Sequence, residues 1–245
     1  MEKKSEIYGA RSIIEAINAN QNIDKVLLLK SSKSSLTKSL VNLIIKKNIS
    51  HSFVPIQRFE RLKNKNHQGA LAFLSPIKLV NIEELIDNSL KKNGNPTFIL
   101  LDGITDVRNF GAIIRTAVAA NATGIIISQS NSAPINSDVV KTSSGTLFNI
   151  PISKVNNLKD AVMYLKASNI EIISLTEKAE KSIYERKVDK PLGIILGSED
   201  KGISKSLLTI SDDKIHIPIS DKLDSLNVSV AFSIMVFEIV KQKGL

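Results

Sequence analysis

The chain has 245 residues, 42% of them hydrophobic and 23% charged, which suits a globular protein of one large or two small domains. Lys and Arg outnumber Asp and Glu by 33 to 24, a net charge of +9 that favours polyanionic partners, nucleic acid first and anionic membrane surfaces second; with six Arg against 27 Lys, a lysine-rich compositional drift is the alternative. The absence of Cys excludes disulfides, thiolate metal sites and cysteine nucleophiles, and 4% aromatics without Trp argue against extended stacking on single-stranded bases.

The first stretch, MEKKSEIYGARS, has no apolar core of the signal-peptide kind, so a cytoplasmic protein is expected. ARSIIEAINA (10–19) reads as a helix, KVLLLK (25–30) as a strand and SLTKSLVNLIIKKN (35–48) as a helix with Ser35 or Thr37 as its cap. HSFVPI (51–56) is extended, RFERLKN (58–64) a short helix and GALAFL (69–74) a strand. This alternation predicts a small α/β domain. Its surface is basic, with Lys30, Lys33, Lys38, Lys46, Lys47, Arg58, Arg61, Lys63 and Lys65; a solvated face and an RNA-contacting face both fit. Gly and Pro punctuation at Lys91–Pro96 closes a helix-bearing connection, NIEELIDNSLKK, so the domains are drawn at 1–76 and 96–245 with a linker at 77–95.

The second domain also alternates. TFILLD (97–102) has the continuous apolar character of a parallel strand, and TGIIIS, EIISL, LGIILG and KIHIPI follow as further strands. Helices are expected over the stretch around Arg115, over NLKDAVMYLKAS (157–168) and over NVSVAFSIMVFEIVKQ (227–242). The last is short and carries Glu238, which makes it a core helix rather than a membrane span. The fold class is α/β, a mostly parallel sheet with helices on both faces.

Ligands bind open parallel sheets beyond the carboxyl ends of the strands. There the sequence reads GITDVRNFG, TEKAEKS, SEDKGIS and SDKLDSLNVS, mostly small polar residues that offer backbone groups. None has phosphate-loop or dinucleotide-fold spacing. The three histidines, His51, His67 and His216, are scattered, so neither a metal site nor a Ser-His-Asp set can be assembled. In NFGAIIRTAVAANA (109–122), Ile113, Ile114, Ala117 and Val118 share one helical face, and Ala112, Thr116, Ala119 and Ala120 form a second, small-residue face. Arg115 projects between them. It reaches solvent, pairs with Asp102 or Asp106, or awaits an anion. Asn109 stands where a polar cap is expected.

LDGITDVRNFGAIIRTA, LGSEDKGIS and IPISDKLDSLNVSVA resemble, in order and spacing, the three motifs of the SpoU (TrmH-like) RNA 2′-O-ribose methyltransferases of the SPOUT class. The first domain is similar to the family's small L30e-like RNA-binding domain, with YGARSIIEAI at its start and HQGALAF near its end. The resemblance implies a deep trefoil knot, a homodimer and S-adenosyl-L-methionine as methyl donor; no metal is expected, on the scattered histidines. It implies that Thr176, Gly197, Ile217 and Leu226 hold the cofactor, and that Arg115, Asn109, Glu199, Ser225 and Asn227 serve the reacting ribose. With this first domain the chain looks most like the members that modify a guanosine of 23S ribosomal RNA. A transfer-RNA substrate and a non-catalytic ribosome-assembly factor on the same fold are the alternatives. Val107, Asp200 and Asp221 stand where the family commonly has Pro, Gly and Gly. In-line methyl transfer needs alignment and a cation at the developing 2′-oxyanion. Arg115 suits the second task but not that of general base, since guanidinium groups stay protonated. Glu199 is expected to orient loop donors or an Asn or Arg partner, and Asn227 and Ser225 to cap the last helix while placing the cofactor loop.

Overall fold

The computed structural model describes residues 6–32, 34–92 and 94–244. Lys33 of the basic surface lies outside the described residues, as does the Arg61 side chain. Two compact units result, one up to Lys78 together with 135–137, the other formed by the remainder.

The first unit runs β1 (Glu6–Tyr8), α1 (Ala10–Asn18), β2 (Ile23–Leu29), α2 (Ser35–Lys46), β3 (His51–Val54), a 3₁₀ segment (Ile56–Leu62) and β4 (Ala70–Leu74). Its sheet has the order β1-β4-β2-β3. It is mixed, because β4 runs antiparallel to both neighbours while β2 and β3 are parallel. The period-2 pattern of β2 sorts two cores: Val26 and Leu28 pack with Ile13, Ile17, Leu40 and Ile44 of the helices, while Leu27 and Leu29 turn to Phe59, Leu62 and Leu71. Strand β1 has only three residues, too few to show a pattern in the sequence. The cap of α2 is Ser34, one residue earlier than expected. Its hydroxyl accepts from the Thr37 amide at 3.1 Å, and Thr37 itself is buried. Lys30, Lys38, Lys46, Lys47, Arg58, Lys63 and Lys65 are all exposed.

The second unit comprises α3 (Ile82–Lys92), β5 (Thr97–Asp102), α4 (Val107–Ala119), β6 (Gly124–Ser128), α5 (Ser137–Thr142), a 3₁₀ turn (Thr146–Asn149), β7 (Ile152–Val155), α6 (Leu158–Ala167), β8 (Glu171–Leu175), β9 (Lys181–Ser182), a second 3₁₀ turn (Ile183–Glu185), β10 (Leu192–Gly197), α7 (Lys205–Ile210), β11 (Asp213–His216) and α8 (Val228–Lys243). The seven strands are parallel in the order β7-β6-β5-β10-β8-β11-β9. Central strands β5, β6 and β10 are buried along almost their whole length, as a sheet covered on both faces requires. Leu85 and Ile86 of α3 join Val162, Leu165 and Leu207 of α6 and α7 in a core against β5, β6, β8 and β10. Helix α3, which falls within the segment read as a linker, packs in this unit's core, because its apolar stripe has a sheet face to cover. On α4 the small-residue face meets α8 through Thr116 Oγ1 and Ser233 Oγ, 3.2 Å apart, although Ala119 is exposed.

At one edge Arg186, 13% exposed, pairs with both Glu171 and Asp213. Burial alone would raise the Asp213 carboxyl, but hydrogen bonds from Lys181 and the Lys214 amide, with the charges of Arg186 and Lys181, bring it below its ordinary value. Among the described residues no helix is long and apolar enough to cross a membrane.

Candidate active site

The site sits at the carboxyl ends of β5, β8, β10 and β11. Strand β5 ends at Asp102, whose Oδ2 accepts from the Ser204 amide at 2.8 Å. Gly103 then turns the chain with φ +75°, in the region that favours glycine. Asp106 caps α4 by accepting from the amides of Arg108 and Asn109, both at 2.8 Å. Asn109 is thus not the cap but a first-turn residue. The Asp carboxylate satisfies its amide and leaves its side chain free for other partners.

Those partners come from loops distant in sequence. Asn109 Nδ2 donates to Glu199 Oε1 at 3.1 Å, and Asn227 Nδ2 donates to Asn109 Oδ1 at 3.0 Å and also to Glu199 Oε1. Asn227 does a second task with its other atom, since Oδ1 accepts from the Ser229 amide at 2.9 Å and caps α8. One residue from each family-like motif is therefore tied into a single network. Ser225, expected as a cap partner, instead faces the neighbouring pocket.

That pocket has a volume of about 310 Å³ and is bounded by four loops. Thr176, Gly197, Ile217 and Leu226 all line it, with Glu199 and Ser225 among the other lining residues. Leu175, Leu196, Ile203, Ile219, Val228 and Ala231 make its apolar part, and Glu177, Lys178, Asp200, Lys201 and Asp224 its charged part. Its size falls within the range of about 300–1,000 Å³ usual for small-ligand sites. Gly197 is required here by close approach: a Cβ would lie 2.2 Å from the Gly202 carbonyl carbon and the Ile203 nitrogen. Gly202 (φ +64°) donates its amide to the Ser198 carbonyl at 2.8 Å and closes this loop. The departures at Val107, Asp200 and Asp221 sit without strain, since none has positive φ.

Arg115 is exposed and lines no part of the pocket. It pairs with neither Asp102 nor Asp106. Its Nη1 donates to Ser144 Oγ at 3.4 Å. The sequence reading missed Ser144, although the small polar run TSSGT is a turn signal. It also missed Glu177, Lys178 and Asp224, which only the convergence of loops reveals. Among the described residues no group of three or more His, Asp or Glu side chains could hold a metal ion.

A parallel sheet with a loop-built pocket at its carboxyl ends is the arrangement of a small-ligand site in an open α/β fold. Residues 96–237 match the SpoU rRNA Methylase family, and residues 7–80 match the family described as RNA 2′-O ribose methyltransferase substrate binding. The chain belongs to the SpoU rRNA methylase family. It is 36% identical over 242 residues to an uncharacterised tRNA/rRNA methyltransferase of Mycoplasma pneumoniae, covering 97% of each chain. It is 31% identical over 241 residues to the 23S rRNA (guanosine-2′-O-)-methyltransferase RlmB of Haemophilus influenzae, covering 97% of this chain and 98% of that one. The AdoMet-bound rRNA methyltransferase of Sinorhizobium meliloti shares the fold with a TM-score of 0.62 at 22% identity, covering 98% of this chain and 87% of that one.

Proposed function

We propose that the chain transfers a methyl group from S-adenosylmethionine to the ribose 2′-oxygen of a guanosine in 23S ribosomal RNA. The observation that carries this reading is the pocket holding Thr176, Gly197, Ile217 and Leu226 together, with its lining residue Glu199 fixed to Asn109 and Asn227. The RlmB likeness along nearly the whole chain supports the substrate. The residues fit the cofactor. The aliphatic part of the pocket suits an adenine, its carboxylates suit cationic groups, and the bare backbone at Gly197 leaves room that a side chain would fill. When bound, the cofactor supplies a methyl group already activated on a sulfonium.

The protein's part is then alignment and electrostatics. Orientation of two reactants contributes up to roughly 7–11 kcal/mol in favourable cases. Arg115, an exposed cation on α4, stabilises the 2′-oxygen as negative charge develops and engages the adjacent phosphate. The proton leaves through that phosphate or through water. Asn109, Glu199 and Asn227 hold the loops between ribose and pocket in register, and Ser225 contributes to the pocket wall.

The first unit acts as the RNA substrate-binding domain, of L30e-like type, and its exposed lysines and arginines supply the phosphate contacts. The second acts as the methyltransferase domain, threaded as a trefoil knot, a reading that rests on the family. It works as a homodimer in the cytoplasm. Val230 and Phe237, seven residues apart on one face of α8, are each 47% exposed and offer the apolar surface for a second copy. A transfer-RNA substrate is the second reading, favoured by the tRNA/rRNA methyltransferase likeness.

The test is methyl transfer from radiolabelled S-adenosylmethionine to 23S ribosomal RNA and to transfer RNA, with the 2′-O-methyl nucleotide mapped. Label at a 23S guanosine is expected. Label in transfer RNA overturns the substrate, and no label in either, with cofactor bound, overturns the activity. Arg115→Lys is expected to lose most of the rate at unchanged cofactor affinity.

A further inference from the structure

The guanidinium assigned to the ribose is long, exposed and flexible, and such a group contributes to a reaction only if something fixes its direction. In this structure the turn that follows α5 has that position. Three observations place it there.

The turn is docked on α4 one helical turn before Arg115. Gly111 faces Thr142 so closely that a Cβ would come within 2.1 Å of Thr142 Oγ1 and 2.5 Å of its Cβ. Thr142 Oγ1 lies 3.1 Å from the Val107 carbonyl oxygen of α4 and 3.0 Å from that of Asp138 in its own helix, so its one hydroxyl proton is shared between the two helices. Gly111 and Arg115 are four residues apart and lie on the same side of the helix. A chain segment seated at Gly111 is therefore carried towards Arg115 as it continues.

The turn's own amides are committed. The Ser144 amide donates to the Lys141 carbonyl, Gly145 to Val140 and Thr146 to Ser143, while buried Ser143 accepts from the Leu147 amide through its hydroxyl. No amide here remains for an anion, so the turn is not itself a phosphate nest. It is a rigid mount. It holds Ser144 in the left-handed region at φ +52°, a conformation that costs a serine about 1 kcal/mol and that a glycine adopts freely.

The group this mount presents is the Ser144 hydroxyl, and it receives Arg115 Nη1. We propose that Ser144 is a positioning residue for methyl transfer: it fixes one edge of the Arg115 guanidinium and leaves the other N–H groups aimed at the ribose and its phosphate. This rests on the role given to Arg115 above.

Ser144→Gly tests it, because glycine suits the backbone at least as well as serine and removes the hydroxymethyl group that carries the acceptor. The expected result is an unchanged or slightly raised Tm, an unchanged cofactor Kd, and a kcat lowered about tenfold, the low end for losing a hydrogen bond to a charged group. A purely structural serine would leave kcat untouched or improve it. Ser144→Asn, which tolerates the left-handed region and restores an acceptor, is expected to recover part of the loss. In the background of Arg115→Lys the effect of Ser144→Gly should shrink, since the partner is gone. A second readout needs no turnover. With six arginines in the chain, the Arg115 Nε–H resonance can be assigned by substitution, and it should lose order in Ser144→Gly. An unchanged kcat and an unchanged Arg115 resonance in Ser144→Gly overturn the proposal. If Ser144→Gly lowers Tm, Ser144→Asn decides: recovery supports the proposal and its absence overturns it. A wild-type chain that methylates no RNA overturns the role of Arg115 instead, a different outcome from an active wild type with an equally active Ser144→Gly.

Discussion

Asn227 joins two functions that substitution can separate. Its Oδ1 caps α8, and its Nδ2 binds Glu199 and Asn109. Replacing a capping Asn by Ala costs about 1 kcal/mol, whereas Ser caps nearly as well as Asn. Losing the amide donor to an exposed carboxylate costs about 1 kcal/mol more. Asn227→Ala should therefore lose about 2 kcal/mol and Asn227→Ser about 1. At roughly 2–4 °C per kcal/mol for a chain of this size, the Tm falls by about 4–8 °C in the first and 2–4 °C in the second. The methyl-transfer rate should behave differently. Both variants untie the α8 loop from Glu199 and Asn109, and loops out of register by a fraction of an ångström lose about tenfold or more in rate. The assay pairs thermal unfolding with single-turnover methyl transfer at saturating cofactor. If Asn227→Ser methylates at the wild-type rate, the network is a helix cap with incidental neighbours and the reasoning fails.

Gly197→Ala places a Cβ 2.2 Å from the Gly202 backbone, so the 197–203 loop must open; titration calorimetry should show cofactor affinity down by tenfold or more, and wild-type affinity would show that the loop has slack. Arg186→Met removes the cation between Glu171 and Asp213 and should destabilise on the order of 3 kcal/mol by denaturant titration at neutral pH. Because Asp213 is held below its ordinary value, that contribution is present above the normal carboxylate range and is lost as pH falls through the depressed value, so the deficit of the variant should shrink in acid. Lys243, which donates to Asn95 and Thr97, is lowered by burial from 10.5 to about 8. Between those values the unfolded chain holds a proton that the folded chain has shed, so raising the pH from 7.5 to 9.5 should raise the Tm of wild type relative to Lys243→Gln, and parallel curves for the two would refute the burial argument.

The central strands β5, β6 and β10 were legible because each carries a continuous apolar run, the pattern that burial on both faces leaves. The strands the sequence reading passed over, β1, β7 and β9, have two to four residues, too short to carry a period. The residues that meet in the pocket and its neighbouring network, Thr176, Gly197, Ile217, Leu226, Asn109, Glu199 and Asn227, were named as site residues by resemblance alone, since no local pattern marks them as such. What Asn109 does was not legible. The cap belongs to Asp106, a choice made by which side chain reaches the free amides of the first turn, and that geometry frees Asn109 to meet loops 90 and 118 residues away.

The sequence by itself determined the alternation of elements, the basic surface and the family to which the chain belongs, because these depend on local pattern and on motif order. The tertiary structure alone decided that four loops enclose one pocket, that α3 belongs to the second core, and that Arg115 meets a serine rather than an aspartate. Those outcomes depend on which distant segments the parallel sheet brings side by side, and no local preference encodes them.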